Sequence, residues 1–312
     1  MAKRTISVID IGSNTMKILV AQKGEQKPLK ILFKAVEECR ISTGIGESGT
    51  LFFDNPCIEK ACFAVSRLRD QARSFAPNET LIVGTSALRD AQNQDDFIKA
   101  IYRKTGIHLK ILSGKEEVDN IFRGILCDPH LQAISDFIVL DIGGGSIELC
   151  EVKNRKSVQA YSYPLGAVRL TEKFIANPKN PINPSVLNSI SQYIIAKLEQ
   201  SRWRLPPKPL ALIGSGGVFA ITKAVLAERH SDHQNWEMPL SLKNIRTFSE
   251  ELTPMSLPSR CQIPQLPANR ADIFPTALTI VDSIGTYLQS TSIRPTLYNL
   301  RYGIATKWLE EH

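Results

Sequence analysis

The chain has 312 residues, 43% hydrophobic and 22% charged, an ordinary globular composition that suffices for about two domains of roughly 150 residues. That composition excludes disordered, collagen-like and coiled-coil classes, and the best membrane candidate, residues 209–222, offers only fourteen uncharged residues including three glycines, short of the roughly 18 to 20 a bilayer needs. Lys plus Arg number 38 against 31 Asp plus Glu, a formal charge of +7, which fits a polyanionic partner and fits a merely basic surface equally well.

Residues 7–20 align without gaps on residues 138–151, and the two halves read as a duplication. Each copy is an apolar strand, then Asp-x-Gly, a turn of small residues and a second β-prone run. Asp10 and Asp141 thus stand at the ends of first strands. Met1 to Gly12 starts basic but reaches Asp10 before an apolar signal core forms, so a cytoplasmic protein is expected. Between the copies helix and strand alternate, as an α/β sheet requires. Asn55-Pro56 predicts a helix cap and an N1 proline, with Ile58, Ala61, Cys62, Val65 and Leu68 on one face. Residues 81–84 predict a short strand, 94–104 a helix closed by Gly106, and 108–112 another strand. A strand over 210–213 leads into the turn Gly214-Ser-Gly-Gly217 and a helix through Leu226. Residues 228–239 are polar and 252–267 proline-rich, after which helices are expected over about 268–288 and 303–311. The six cysteines form no C-x-x-C, so reduced thiols are expected and zinc is not.

Small-residue turns after a strand leave backbone amides facing a concavity suited to phosphate oxygens. Three such turns occur: Gly12-Ser13-Asn14, Gly143-Gly144-Gly145-Ser146, and Gly214-Ser215-Gly216-Gly217. None continues as a P-loop or completes G-x-G-x-x-G, which removes Walker ATPases and Rossmann dehydrogenases. Any one turn alone is an ordinary tight hairpin; three together, two carrying Asp, point to phosphate. Asp10, Asp141 and Glu148 are hard oxygen ligands suited to Mg²⁺ at the base of a cleft, the alternative for Glu148 being a solvated cross-strand residue. Ser113-x-x-Glu116 is a capping box, and Val118, Ile121, Phe122, Ile125 and Leu126 form the buried stripe of the helix it opens. Glu116 is thereby explained. Glu117 lies at the border of that stripe, where a carboxylate is expensive unless used or paired, and beside phosphate it is placed to take a proton from water. Arg89, just after a strand, is placed to grip phosphate. His230 and His233 with Asp232 read as a solvated loop, and Trp203 between two arginines as a packed helix end rather than a base-stacking site.

These residues resemble the exopolyphosphatase and guanosine pentaphosphate phosphohydrolase (Ppx/GppA) family, within the superfamily of actin, sugar kinases and chaperone ATPase domains. The resemblance is carried in order by Asp10-Ile-Gly-Ser-Asn-Thr15, Gly84-Thr-Ser-Ala-Leu-Arg89, Ser113-Gly-Lys-Glu-Glu117, Asp141-Ile-Gly-Gly-Gly-Ser-Ile-Glu148, Leu165-Gly-Ala-Val-Arg-Leu-Thr171, Gly214-Ser-Gly-Gly217, Arg270-Ala-Asp272 and Leu300-Arg-Tyr-Gly303. It implies an α/β fold of two ribonuclease H-like domains around a central cleft, here 1–128 and 129–312 with the last helix free to pack back on the first. It implies metal-assisted hydrolysis of a terminal phosphoanhydride, with Glu117 as the catalytic glutamate and Asp141 and Glu148 serving the metal and the attacking water. The expected substrate is inorganic polyphosphate, with guanosine pentaphosphate, and through it the stringent response, as the alternative. An actin-like or chaperone-like nucleotide module and a sugar or acid kinase are the readings from other classes, and Glu117 argues against both. No specific nucleic acid or membrane partner is expected, and a homodimer is left open. The chain ends at His312 where long members continue, so a short-form enzyme that releases its substrate between cleavages is expected. The stretch 43–49 departs from the commoner Leu-Gly-x-Gly-Leu form.

Overall fold

The computed structural model describes residues 4–25, 29–44, 51–230 and 238–312. Most of the 43–49 stretch, Asp232, His233 and the His230 side chain lie outside the described set. The chain divides into two compact units, residues 1–132 with 298–312, and residues 133–297.

In the first unit, β1 (Thr5–Ile11), β2 (Thr15–Lys23) and β3 (Leu29–Glu38) form an antiparallel meander. After α1 (Asn55–Ala72), β4 (Glu79–Gly84) joins β1 in parallel. Then come α2 (Ser86–Arg89), α3 (Gln94–Thr105), β5 (Leu109–Ile111) parallel to β4, and α4 (Gly114–Leu126). The sheet order is β3-β2-β1-β4-β5. All five residues expected on the α1 stripe are buried. The cap of α1 is Asp54 rather than Asn55, because the Asp54 carboxylate accepts from the Cys57 amide at 2.8 Å, which moves Pro56 one place into the first turn. Gly106 ends α3 in the left-handed region, as expected.

The second unit repeats the plan. An antiparallel meander of β6 (Phe137–Ile142), β7 (Ile147–Lys153) and β8 (Lys156–Tyr163) is followed by α5 (Ala167–Phe174) and α6 (Pro184–Glu199). Strand β9 (Ala211–Gly216) lies parallel to β6 and passes into α7 (Gly217–His230). The remainder is β10 (Leu240–Ser241), α8 (Leu242–Leu252), α9 (Leu257–Arg260), α10 (Phe274–Tyr287) and β11 (Ser292–Pro295), the last parallel to β9. The order β10-β11-β9-β6-β7-β8 repeats that of the first sheet, β8 to β11 matching β3 to β5, with β10 added at the edge. Two mixed sheets with helices, each built from the same hairpin, give the expected α/β class.

Two further expected boundaries move for visible reasons. Strand β9 runs on through Gly216, because Gly214 packs where a Cβ would meet the Phe219 ring and the Ile293 side chain; the corner is confined to Gly216, at φ +109°, and Gly217. Helix α10 begins at Phe274 rather than near 268, since Pro275 belongs in a first turn and residues 267–273 are held as consecutive turns.

Helix α11 (Leu300–Glu311) returns to the first unit and packs on α4, β1 and β2. Ile304, Trp308 and Leu309 are buried while Lys307, Glu310 and Glu311 are exposed. Its contact with α4 is close enough that a Cβ on Gly303 would collide with the Asn120 carbonyl and one on Gly124 with the Asn299 carbonyl. Gly303→Ala is therefore expected to lower unfolding stability by about 1–3 kcal/mol, as overpacking does; a denaturation midpoint equal to the wild type would show that the helices can separate without cost.

Candidate functional site

In the first unit the candidate residues gather at the carboxyl ends of the parallel strands, where open α/β sheets bind ligands. Asp10 is the penultimate residue of β1, opposite Lys17 on β2. It is half-buried, and its Oδ1 is buried and accepts no hydrogen bond among the described residues. Desolvation pushes its carboxyl pKa up, with Lys17 and the buried Arg301 of α11 pulling the other way. Arg301 donates to the Ile18 carbonyl at 3.0 Å. In the adjoining turn, the Ser13 carbonyl accepts from the Ile41 and Ser42 amides at 2.9 and 3.3 Å, so the Asn14 amide on the same peptide points the opposite way. The Asn14 side chain accepts from Arg40 Nε at 2.6 Å.

Strand β4 delivers Arg89 and β5 delivers α4. Ser113 and Glu116 complete the expected capping box, with Lys110 on the Glu116 carboxylate at 2.7 Å. These hydrogen bonds, Lys110 foremost, pull the Glu116 carboxyl from an ordinary 4.5 down to about 2. Glu117 is only 6% exposed. Its Oε2 meets Arg89 Nη1 at 2.5 Å, and the same nitrogen donates to the Leu112 carbonyl at 2.9 Å. The two adjacent glutamates therefore have different work: one closes a helix, and the other is a buried carboxylate at that helix's first turn, facing a guanidinium.

In the second unit, Asp141 lies opposite Glu148, Glu148 opposite Ser162, and Asp141 beside Ser215. These four residues form a polar row across one face of the sheet. Glu148, at 1% exposure, accepts from Ser162 Oγ at 2.8 Å and is not the solvated residue of the alternative reading. Past Asp141 the carbonyls of Gly143, Gly144 and Gly145 are taken by the first amides of α5 at 2.9–3.2 Å, Ala167 on Gly143, Val168 and Arg169 on Gly144, and Gly166 on Gly145. A trans peptide holds its N–H opposite its C=O, so the amides of Gly144, Gly145 and Ser146 point away from α5, a disposition suited to an anion. Arg169 Nε also donates to the Gly145 carbonyl at 2.9 Å. Gly166 has no room for a Cβ against Gly144 and Gly145. At the Gly216–Gly217 corner, Arg270 lays its guanidinium over Gly217, where a Cβ would collide with Nη1.

Asp10, Ser13, Asn14, Arg89 and Glu117 thus gather in one unit, and Asp141, Gly143 to Ser146, Glu148 and Gly214 to Gly217 in the other. Of the last group, Gly214 and Ser215 are strand residues, and Ser215 is fully buried. Trp203 is buried with its ring edge-to-face on Tyr161, as a packed residue. No sequence pattern assigns a role to Arg40, Arg169, Arg270, Lys17 or Arg301. Three of these sit inside quoted motifs, but only long-range packing reveals what they touch. The donor set fits a divalent cation best at Asp141 and Glu148: like charges directly across a strand pair are costly unless neutralised, and their oxygens are hard ligands. Among the described residues no group of three or more His, Cys, Asp or Glu side chains forms a ready metal cage, so water and substrate oxygens would have to complete the shell. No described helix is long and apolar enough to cross a membrane.

The model of the Ppx/GppA phosphatase family matches residues 19–312. A bifunctional 3-dehydroquinate synthase/phosphatase of Fusobacterium nucleatum is 29% identical over 177 residues, 55% of this chain and 26% of that protein. An uncharacterized protein of Streptomyces coelicolor is 27% identical over 209 residues, 66% of this chain and 61% of that one. The matches thus span about a quarter and three fifths of the relatives' lengths. Among solved structures, an exopolyphosphatase from Cytophaga hutchinsonii has a TM-score of 0.86 at 22% identity, covering 99% of this chain and 98% of that one. A Ppx/GppA family member from Aquifex aeolicus has a TM-score of 0.78 at 20% identity, with the same coverage. At these identities the structures establish the fold.

The capping box has a pH signature. A carboxyl whose folded pKa is depressed contributes stability that is present above its unfolded value and lost as pH falls through the folded one. Unfolding midpoints of the wild type and Glu116→Gln should therefore differ most at neutral pH and converge as pH drops from 4.5 towards about 2. A constant gap across that window would mean that the carboxylate charge plays no part.

Proposed function

The chain belongs to the Ppx/GppA phosphatase family, and on that premise we propose that it releases orthophosphate from the end of inorganic polyphosphate. The observation that carries this reading is the buried Glu117 carboxylate, set at a helix start against Arg89 while its neighbour Glu116 takes the capping work. In this reading Arg89 and the outward amides of the glycine turns bind phosphate oxygens. A phosphate oxygen arriving at Arg89 competes with Glu117 for the guanidinium and leaves the carboxylate free to accept a proton. Water then attacks the terminal phosphorus, its proton passes to Glu117, and the bond to the bridging oxygen breaks, leaving the shortened chain as the phosphate leaving group. Within the second unit, Asp141 and Glu148 would hold a divalent cation such as Mg²⁺, whose charge would offset that of phosphate oxygens bound at the Gly143–Ser146 turn of the same unit. Asp10 is the weaker candidate ligand, because burial disfavours its charged form and the nearby Lys17 and Arg301 already meet what charge it carries.

The 5′ γ-phosphate of guanosine pentaphosphate presents the same chemistry. The +7 charge favours the longer polyanion. Orthophosphate release from polyphosphate, guanosine pentaphosphate and ATP, measured side by side, is expected to give the highest kcat/KM on polyphosphate; a higher value on guanosine pentaphosphate would reverse the assignment.

Glu117→Gln should lower kcat by about 10² to 10⁴ with KM largely kept, whereas Glu116→Gln should be mild. Equal losses in both would assign the wrong glutamate. The KM for long polyphosphate should rise steeply with ionic strength, because successive phosphates displace counterions from a basic surface. A flat response between low and high salt would count against a polyanion substrate.

A further inference from the structure

Arg260 is the largest side chain among those with essentially no exposure, at 0%, and no carboxylate lies within ion-pair distance of it among the described residues. Its guanidinium is satisfied by backbone carbonyls alone. Nε donates to Met255 at 3.2 Å, Nη1 to Ala271 at 3.0 Å, and Nη2 to Pro178 and Asn180 at 2.9 and 3.0 Å. Burial pulls the Arg260 pKa down, with the charge of Asp272 acting against that; a buried charge hydrogen-bonded only to neutral carbonyls is an expensive way to fill a core, so its value lies in what the fork ties together. It joins three stretches of chain that share no strand or helix: 178–180, 255 and 271.

The third of these leads to the candidate phosphate site. Ala271, itself without exposure, follows Arg270, whose guanidinium lies over Gly217 where β9 turns into α7. The turn is closed on either side of Arg270, whose amide donates to the Pro267 carbonyl at 2.9 Å and whose carbonyl accepts from the Ile273 amide at 3.1 Å. With the Ala271 carbonyl fixed by Arg260, the backbone just past Arg270 cannot swing, and the Arg270 side chain departs from a fixed point.

We infer that Arg260 is a positioning residue: by gripping the Ala271 carbonyl it holds Arg270 over the Gly217 corner, so that the guanidinium is in place for a phosphate oxygen before substrate arrives. The inference rests on the proposal that this corner receives phosphate. Pre-set donors lose less side-chain freedom on binding, so the benefit appears in affinity.

A double-mutant cycle tests it, reading KM and kcat with polyphosphate and the Kd of orthophosphate by calorimetry. Arg260→Lys keeps the cation but cannot span three segments, and should raise KM and the orthophosphate Kd about tenfold with little change in kcat. In an Arg270→Met background the same substitution should add less than about twofold, because its route to the ligand is gone. Equal effects in both backgrounds would overturn the inference and make Arg260 a scaffold residue only. If Arg270→Met alone left the orthophosphate Kd unchanged, the phosphate reading of the corner would fail first. Should Arg260→Lys fold poorly, Pro267→Gly, which loosens the same turn and leaves Arg260 in place, should show the same dependence on Arg270; a Pro267→Gly effect that persists in Arg270→Met would equally overturn it.

Discussion

A carboxylate at the dry end of a central strand has to be compensated, and this chain meets the problem twice in the same place. Asp10 and Asp141 occupy equivalent positions in sheets of matching order. What differs is the residue directly opposite. Across from Asp10 stands Lys17, with the buried Arg301 supplying a second positive charge. Across from Asp141 stands Glu148, itself buried and hydrogen-bonded to Ser162. In one copy of the duplicated hairpin the residue across from the aspartate is a cation, and in the other it is a second carboxylate. A single cross-strand position thus separates two electrostatic characters on one backbone plan.

The turns beyond the two aspartates are aimed by the same means, with different partners. In the second unit the first amides of α5 capture three successive carbonyls, and the trans geometry of each peptide then turns the following amide outward. In the first unit the Ile41 and Ser42 amides capture the Ser13 carbonyl. The glycines supply the space for this approach, which is tightest where Gly166 meets the 144–145 backbone. Anion affinity of such a turn is therefore a property of what lies behind it as much as of its own residues.

That dependence explains what was legible in the sequence. The hairpins, the α1 stripe, the Ser113–Glu116 box and the Gly106 cap are local patterns and all are present, while of the expected α4 stripe Val118, Ile121 and Ile125 are buried and Phe122 and Leu126 only half-buried. The misplaced boundaries each have a specific cause, distant packing in one case and competing local hydrogen bonds in the others. Asp54 outcompeted Asn55 for the Cys57 amide, and Phe219 with Ile293 kept Gly214 in a strand. Helix α10 started late because residues 267–273 are tied into turns. The arginines without an assigned role, Arg40, Arg169, Arg260, Arg270 and Arg301, share one trait. Each reaches a backbone or side chain that is remote in sequence, the shortest such reach being the eleven residues from Arg260 to Ala271 once its local bond to Met255 is set aside, and no periodicity records such pairings.

The Arg89–Glu117 pair shows why residue type alone underdetermines chemistry at the strand ends. A buried glutamate without a partner would favour its protonated form and be a poor base, and one locked permanently to arginine would be a poor base for the opposite reason. Here Arg89 Nη1 is divided between Glu117 and the Leu112 carbonyl, so the guanidinium can be drawn to a phosphate while still anchored to the backbone. In the proposed reaction, Glu117 would lose this partner when a phosphate oxygen draws the guanidinium away. The arrangement requires the two residues to approach from different strands, β4 through α2 and β5 through α4, because only then can one be anchored by a carbonyl at the root of the helix that carries the other.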